Sequence, residues 1–186
     1  MDRFERYFRT LTAVAKCVNS SLEPVQVLKD VTHQTALALH AKGCTLRLLD
    51  RTGKRLLPGA GWGLSETYTR KGPVDLEKSQ VDREATTGKA IHLEDAQTDP
   101  RFQYRDAAKA EGIVSVLVIP LMVNGKAIGA MRVYSETKRN FDEQEMEFAQ
   151  AIADLCAMAI ENARLHQALK TDYEMLVKFE SRIFED

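Results

Sequence analysis

The sequence predicts an α+β domain built on an antiparallel sheet, and three observations lead to this prediction. Residues 114–123 and 126–134 are alternating, β-rich runs joined by Asn124-Gly125, a pattern typical of a tight hairpin. Residues 44–50 and 55–62 form a second hairpin pattern. The long helical patterns lie toward the two ends of the chain. Strands that follow one another as hairpins pair antiparallel, which places the chain in the α+β class.

Two helices are predicted before the first strand. The second begins at Pro24, which suits a first helical turn, and runs to about Ala41, with Gly43 just beyond its end. Its predicted buried side chains are Val27, Leu28, Val31, Thr35 and Leu39. The first helix, within residues 1–21, carries one apolar stripe at heptad spacing, made of Phe4, Tyr7, Leu11, Val14 and Val18.

The middle of the chain has weaker patterns. Residues 63–78 lack periodicity and are predicted to form a loop. Three short elements follow: a helix over 82–87 that stops at Gly88, a strand over 90–93, and a helix capped by Asp99 that runs through Ala110 and ends at Gly112.

The last helix begins with Asp142 and Glu145, a variant of the capping box, and nothing stops it before about residue 180. Residues 166–186 extend it beyond one domain and could form a coiled coil. Asn162 favours a parallel coiled coil of two helices, whereas Asp172 weakens the apolar seam between them. The helix could instead fold back on its own domain. The predicted seam consists of Leu155, Met158, Asn162, Leu165, Leu169, Asp172, Leu176, Phe179, Ile183 and Asp186.

Composition and charge exclude several classes of protein. A net charge of −1 gives no reason to expect a nucleic acid or an anionic membrane as partner, and no apolar run is long enough to span a bilayer. Cys17, Cys44 and Cys156 match neither a disulfide framework nor a metal pair, so a cytoplasmic location is expected. The four histidines have no chelating spacing, so no metal site is predicted.

Four segments in order resemble the GAF domain family, and together they cover about residues 22–165. They are TLRLLDRTGKRLLPGAGWGL, EATTGKAIHLEDAQTDPRF, VSVLVIPLMVNGKAIGAMRVYS and NFDEQEMEFAQAIADLCAMAIENARL. The resemblance implies a six-stranded antiparallel sheet with the terminal helices on one face. On the other face, it implies a small-molecule pocket closed by loops and short helices. GAF domains bind cyclic nucleotides, haem, bilins or small metabolites, so the resemblance leaves the ligand and any cofactor unknown.

Departures from the family patterns narrow the choice of ligand and of activity. Ser135-Glu136 stands where cyclic-nucleotide-binding members have an Asn-Lys pair, and Glu145 and Met146 follow Phe141 where they have an acidic pair. The cysteine of bilin-binding members is absent. A catalytic branch reduces free methionine sulfoxide with closely placed pocket cysteines, but no cysteine lies between Cys44 and Cys156. We therefore expect a domain that is not an enzyme.

Arg47 and Arg132 are the main candidates for ligand contacts. Each lies between apolar neighbours in a strand, and the resemblance makes the two strands adjacent. Alternation places both arginines, with Thr45, on the face opposite the terminal helices. Two buried guanidinium groups need anions. These anions could be Glu94 or Asp95 in an internal salt bridge, or the carboxylate or phosphate of a ligand.

Aromatic residues complete the candidate site. Trp62, Tyr68, Phe102 and Tyr104 lie on segments that usually wall a GAF pocket. They could stack on a planar ligand or fill the core.

The leading hypothesis is a non-catalytic sensory or regulatory domain. It would bind a small molecule, anionic if the arginines contact it, and transmit its state through a homodimer of terminal helices to a signalling output module or partner. The alternatives are a dimerisation or protein-interaction module with a filled pocket and, third, a free methionine sulfoxide reductase.

Overall fold

The computed structural model describes residues 2–20 and 24–183. Its helices are α1 (Arg3–Ser20), α2 (Pro24–Ala38), α3 (Glu66–Thr69), α4 (Gln80–Ala85), α5 (Arg105–Glu111) and α6 (Glu143–Ile183). Its strands are β1 (Gly43–Leu49), β2 (Arg55–Trp62), β3 (Val74–Asp75), β4 (Ile91–Leu93), β5 (Ser115–Val123) and β6 (Lys126–Ser135).

The six strands form one antiparallel sheet in the order β3-β2-β1-β6-β5-β4, which confirms the predicted fold class. β1 and β6 are neighbours at its centre, which confirms that the strands of Arg47 and Arg132 are adjacent. The prediction of a plain loop over residues 63–78 was wrong, because α3 and β3 lie there. β3 has two residues and pairs only with Arg55 and Leu56, so it is too short to leave a periodic signal.

The hairpin between β5 and β6 confirms the strongest local prediction. Asn124 and Gly125 have φ angles of 49° and 76°, so both central residues of the turn are left-handed. This is the backbone of a tight hairpin turn that matches the twist of its strands, and it favours the Asn-Gly sequence.

The sheet separates two cores, as the alternation in β1 and β6 predicts. Leu46, Met131 and Val133 pack on one face with side chains of α2 and α6. Ala130 and Tyr134 belong to a second core on the opposite face, where α3, α4 and α5 lie. Thr45, Arg47 and Arg132 are buried on this second face by the same alternation.

The boundaries of three helices differ from the predictions, and α4 covers Gln80–Ala85 rather than residues 82–87. α2 ends at Ala38 rather than near Ala41, because the chain turns at His40, which has a φ of 49°. Asp99 does not cap α5, which begins six residues later at Arg105. Asp99 instead accepts a hydrogen bond from the backbone N–H of Arg101 at 2.9 Å and forms an ion pair with its side chain.

The terminal helices pack on each other within the chain. The Tyr7 ring of α1 stacks on Phe148 of α6 with 4.2 Å between ring centroids, and Val14 is fully buried. The predicted stripe is therefore only partly buried, since Phe4 of the same stripe is 76% exposed.

α6 continues well past the domain core. It contains 41 residues, so it is about 60 Å long. Its buried face extends as far as Ile160, and the predicted seam residues Met158, Leu165 and Leu169 are exposed in the single chain. The side chains of Leu176, Phe179 and Ile183, and Asp186 as a whole, lie outside the described residues. No helix in the described part of the chain is both long and apolar enough to cross a membrane.

The start of α6 is a reciprocal capping box, as predicted. The Asp142 carboxylate accepts from the backbone N–H of Glu145 at 2.9 Å, and the Glu145 carboxylate accepts from the N–H of Asp142 at 3.0 Å. These bonds satisfy N–H groups that have no partner inside the helix.

Replacing Asp142→Ala should lower the free energy of unfolding by about 1 kcal/mol, because one of these caps is lost. Urea denaturation measures the change. Glu143→Ala is the control, since Glu143 is exposed in the same turn, and it should stay within about 0.5 kcal/mol of the parent chain. Equal losses in the two variants would contradict the capping role.

Candidate functional site

A small cavity lies on the face of the sheet opposite α2 and α6. Its volume is about 90 Å³. β1 and β2 form its floor, and its roof is the strap, which we define as residues 63–73 and which contains α3. The residues around it include Thr45, Arg47, Ala60, Gly61, Tyr68 and Lys71.

Arg47 is the buried cation of this cavity, and it has only weak partners. Its side chain is 3% exposed, and its Nη1 donates to the carbonyl oxygens of Leu56 at 3.4 Å and Gly72 at 3.3 Å. Among the described residues, no carboxylate lies within ion-pair distance of it, and its Nε has no hydrogen-bond partner. Burial lowers the pKa of Arg47, and the nearby charge of Arg132 also lowers it.

Arg132 has the partner that Arg47 lacks. Its Nε donates to Oδ1 of Asp82 at 3.0 Å, and its Nη2 donates to Oδ2 of the same carboxylate. Both side chains are buried, at 1% and 0% exposure. Burial alone would lower the pKa of Arg132, but the charge of Asp82 raises it above its ordinary value. Arg132 is therefore held in a bidentate ion pair.

The structure corrects the partners expected for the arginines. Glu94 pairs with Lys138 at 3.3 Å on the surface, and Asp95 accepts from the backbone of Gln97 in its own loop. Asp82 takes the role instead, because α4 packs across the inner face of the sheet with this residue turned inward.

Hydroxyl groups surround the two arginines. Thr45 Oγ1 shares a hydrogen bond of 3.1 Å with the hydroxyl of Tyr134. The ring of Tyr68 meets the ring of Tyr134 edge to face at 5.8 Å. The Tyr68 hydroxyl has no hydrogen-bond partner in the described part of the chain, and burial raises its pKa. Alternation from Arg132 could have identified Tyr134, since residues two apart in a strand share a face.

Lys71 places a basic amine at the cavity, and no sequence pattern pointed to it, because it lies in the segment predicted as loop. Its Nζ lies 3.4 Å from the centroid of the Tyr68 ring and donates to the Tyr68 carbonyl at 3.0 Å. The pKa of Lys71 is lowered to about 6, first by burial and then by the charges of Arg47 and Arg132.

The predicted aromatic residues do not all lie together. Phe102 is buried, and its ring centroid is 5.5 Å from the Arg132 guanidinium. The Tyr104 hydroxyl donates to the carbonyl of Pro73 at 2.7 Å and so holds the end of the strap. The prediction that Trp62 lies at the pocket was wrong. Trp62 stacks on His33 of α2 at 4.4 Å, on the helix side of the sheet. The reason is the register, because Trp62 pairs with Cys44, whose side chain is in the helix-side core.

The cysteines lie away from the cavity chemistry. Cys44 and Cys156 are fully buried in the core between the sheet and the helices. Burial raises the pKa of both thiols, that of Cys156 to about 12. Both are therefore thiols rather than thiolates at neutral pH.

Comparison with known proteins gives consistent matches. The GAF domain family model matches residues 23–160. A methyl sulfide methyltransferase-associated sensor of Methanosarcina acetivorans is 31% identical over 134 residues, which are 68% of this chain and 13% of that protein. A probable 3',5'-cyclic phosphodiesterase of Caenorhabditis elegans is 24% identical over 97 residues, which are 52% of this chain and 13% of that protein. The chain thus spans a small part of the length of both relatives.

Solved structures share the fold. The GAF domain of a phosphoenolpyruvate-protein phosphotransferase from Coxiella burnetii matches with a TM-score of 0.79 at 23% identity, over 90% of this chain and 99% of that one. A free methionine-R-sulfoxide reductase from Neisseria meningitidis, solved with its substrate, matches with a TM-score of 0.74 at 18% identity, over 89% and 95%.

The two arginines should respond differently to loss of charge. Arg132→Met leaves the buried Asp82 carboxylate without its counter-ion and should lower the free energy of unfolding by about 3–5 kcal/mol. Arg47→Met keeps the stem of the side chain and strands no carboxylate, so stability should hold or rise as repulsion from Arg132 is relieved. Chemical denaturation of the two variants checks this. A loss of about 3 kcal/mol or more in Arg47→Met would mean that Arg47 has a structural partner after all.

Proposed function

The chain belongs to the GAF domain family, and we propose that it is a sensory domain that binds a small anion beside Arg47 and reports it through its terminal helices. The sensor from Methanosarcina acetivorans is consistent with the sensory part of this proposal. The proposal of an anionic ligand rests on Arg47. Its guanidinium is buried at the cavity and has no carboxylate partner among the described residues.

The charges around the cavity support this proposal. Arg47, Arg132 and Lys71 interact with one another there, and Asp82 is the only carboxylate that forms an ion pair with any of them within the described residues. Unpaired buried charge is strongly unfavourable, so an arriving anion would gain the interaction that the protein leaves unmade. A guanidinium suits a carboxylate or phosphate because it can donate two parallel hydrogen bonds.

We propose that the domain is not an enzyme. The structural neighbour from Neisseria meningitidis is a sulfoxide reductase, a chemistry for which a thiolate is the reactive form of cysteine. Here Cys44 and Cys156 lie on the opposite side of the sheet from the cavity, and burial keeps them protonated. A cytoplasmic location, expected from the cysteine pattern, stays a prediction.

The end of β2 offers a route for the signal from the cavity to α2. Gly61 lines the cavity, and the next residue, Trp62, stacks on His33 of α2. A ligand that displaces the end of β2 would therefore move a side chain that contacts the helical layer. α2 in turn packs against α1 and α6. Small shifts of packed helices are a common way to pass such a change to a partner subunit.

The exposed part of α6 supports a homodimer, with a signalling output module or partner acting beyond it. Leu165, Leu169 and Tyr173 are each at least 55% exposed in the single chain. Together with Asn162 they lie on the predicted two-stranded seam or next to it.

A dimerisation module without a ligand is the second candidate, and the small volume of the cavity favours it. At about 90 Å³ the cavity is well below the roughly 300–1,000 Å³ of pockets that hold drug-sized ligands. The two functions differ in the role of Arg47, which binds a ligand in the first and affects only stability in the second.

Ligand binding can be tested by thermal unfolding with a panel of carboxylates and phosphates, including cyclic nucleotides. At least one anion should raise the melting temperature of the parent chain, because it binds the folded state alone. Arg47→Met should abolish that increase. Arg55→Met is the matched control, since Arg55 is exposed on β2 and its loss removes the same charge. An increase that survives in Arg47→Met, or no increase with any anion, would favour the module without a ligand.

The dimer can be tested by light scattering at micromolar concentration. The intact chain should have the mass of two subunits, and truncation after Ala163 should shift it toward one, because Leu165, Leu169, Leu176, Phe179 and Ile183 are removed. The circular dichroism of the sheet should persist, since the described buried face of α6 ends at Ile160. A single-subunit mass for the intact chain would contradict the dimer.

A further inference from the structure

The size and the donor groups of the cavity limit which anion it can take. An engineered cavity of about 150 Å³ in another protein holds benzene, which has six non-hydrogen atoms. At about 90 Å³, the cavity beside Arg47 has room for a smaller molecule than that. A nucleotide, a haem or a bilin is several times too large for it.

Three buried donor atoms at this place have no hydrogen-bond partner within the described residues. They are Arg47 Nε, Tyr68 Oη and Arg132 Nη1, and their side chains are 3%, 2% and 1% exposed. Arg47 and Tyr68 line the cavity, and Arg132 lies opposite Thr45 of its floor in the pairing of β1 with β6. Buried donors are almost always satisfied in folded proteins, so the unmade bonds of Arg47 and Tyr68 at the cavity favour the binding of an acceptor there. An oxyanion offers several acceptor lone pairs on one small group.

Lys71 differs from these donors because its charge can change. It lies in the strap, half-buried, and its amine rests on the ring of Tyr68 without forming an ion pair with any described carboxylate. The charged and titratable groups that face it are Arg47 on β1, Tyr68 on α3, Asp82 on α4, Tyr104 before α5, Glu111 on α5 and Arg132 on β6.

We propose that the ligand is a compact oxyanion, either a short carboxylate or an inorganic oxyanion, and that Lys71 takes up a proton as it binds. This inference rests on the proposed function and names its ligand class. The unpartnered donors of Arg47 and Tyr68, two residues that line the cavity, hold the oxygens. The new negative charge offsets the repulsion from the two guanidinium groups, so the ammonium form of Lys71 becomes stable beside it.

The direction of the pH dependence follows from the groups involved. Without ligand, the pKa of Lys71 is about 6, so the amine is mostly neutral at pH 7–8. A bound anion raises this pKa, and binding then consumes up to one proton. Affinity should therefore fall by up to about tenfold for each pH unit between 7 and 8, and should level off below pH 6.

The experiment measures the affinity of the full chain for sodium acetate and for sodium sulfate at pH 6, 7 and 8, from the ligand-induced shift in melting temperature. Neither anion titrates in this range, so any slope belongs to the protein. Acetate tests the short carboxylate and sulfate the inorganic oxyanion. The affinity of Lys71→Arg should not change with pH, because the charge of an arginine is permanent. Lys71→Met should bind more weakly, also without a slope. Lys109→Met on exposed α5 is the control and should keep the slope.

The outcomes separate this inference from the function beneath it. Binding of acetate or sulfate with the same slope in Lys71→Met as in the parent chain overturns the role of Lys71. Binding of cyclic AMP that depends on Arg47, with no response to acetate or sulfate, overturns the compact ligand and leaves the sensory function standing. No response to any anion overturns both.

Discussion

The buried ion pair between Arg132 and Asp82 is the interaction on which the rest of the site depends. Removing either partner would leave the other charge almost fully removed from water and without its counter-ion, which is strongly unfavourable. The pair therefore fixes α4 over the inner face of the sheet. Ser79, the residue before α4, donates to the same carboxylate and holds the start of the helix. The second core packs beside this pair, and the ring of Phe102 lies 5.5 Å from the Arg132 guanidinium.

The two arginines differ because of what lies above them. Arg132 lies beneath α4, which supplies a carboxylate, whereas Arg47 lies beneath the strap, which supplies the carbonyl of Gly72 and the amine of Lys71. Carbonyl dipoles solvate a guanidinium but do not neutralise it. The charge of Arg47 is therefore left without a counter-ion among the described residues. Lys71 accommodates it by losing its proton more readily, which neither arginine can do near neutral pH.

Sequence reasoning found the parts of this site that follow from strand periodicity. The placement of Thr45, Arg47 and Arg132 on one face was predictable, because alternation in β1 and β6 has a period of two and the opposite set is apolar. The choice of Asp82 was not predictable, since α4 has six residues and too few turns to reveal which face is buried. Lys71 was missed because its neighbours follow no repeat. Position in the sheet, rather than residue type, decided the placement of Trp62.

The pairing of the strands also determines which part of the sheet a ligand could displace. β1 and β6 are each paired on both sides, so displacing them would break two ladders of hydrogen bonds. β2 is different, because β3 covers only Arg55 and Leu56, and residues 57–62 are paired on one side alone. A bulge at Gly59 already interrupts that single ladder, and a side chain there would approach the Leu46 carbonyl at 2.9 Å. This part of β2 carries both the wall of the cavity, at Gly61, and the contact with α2, at Trp62. The cavity and the helices therefore meet at a stretch of strand that is paired on one side alone.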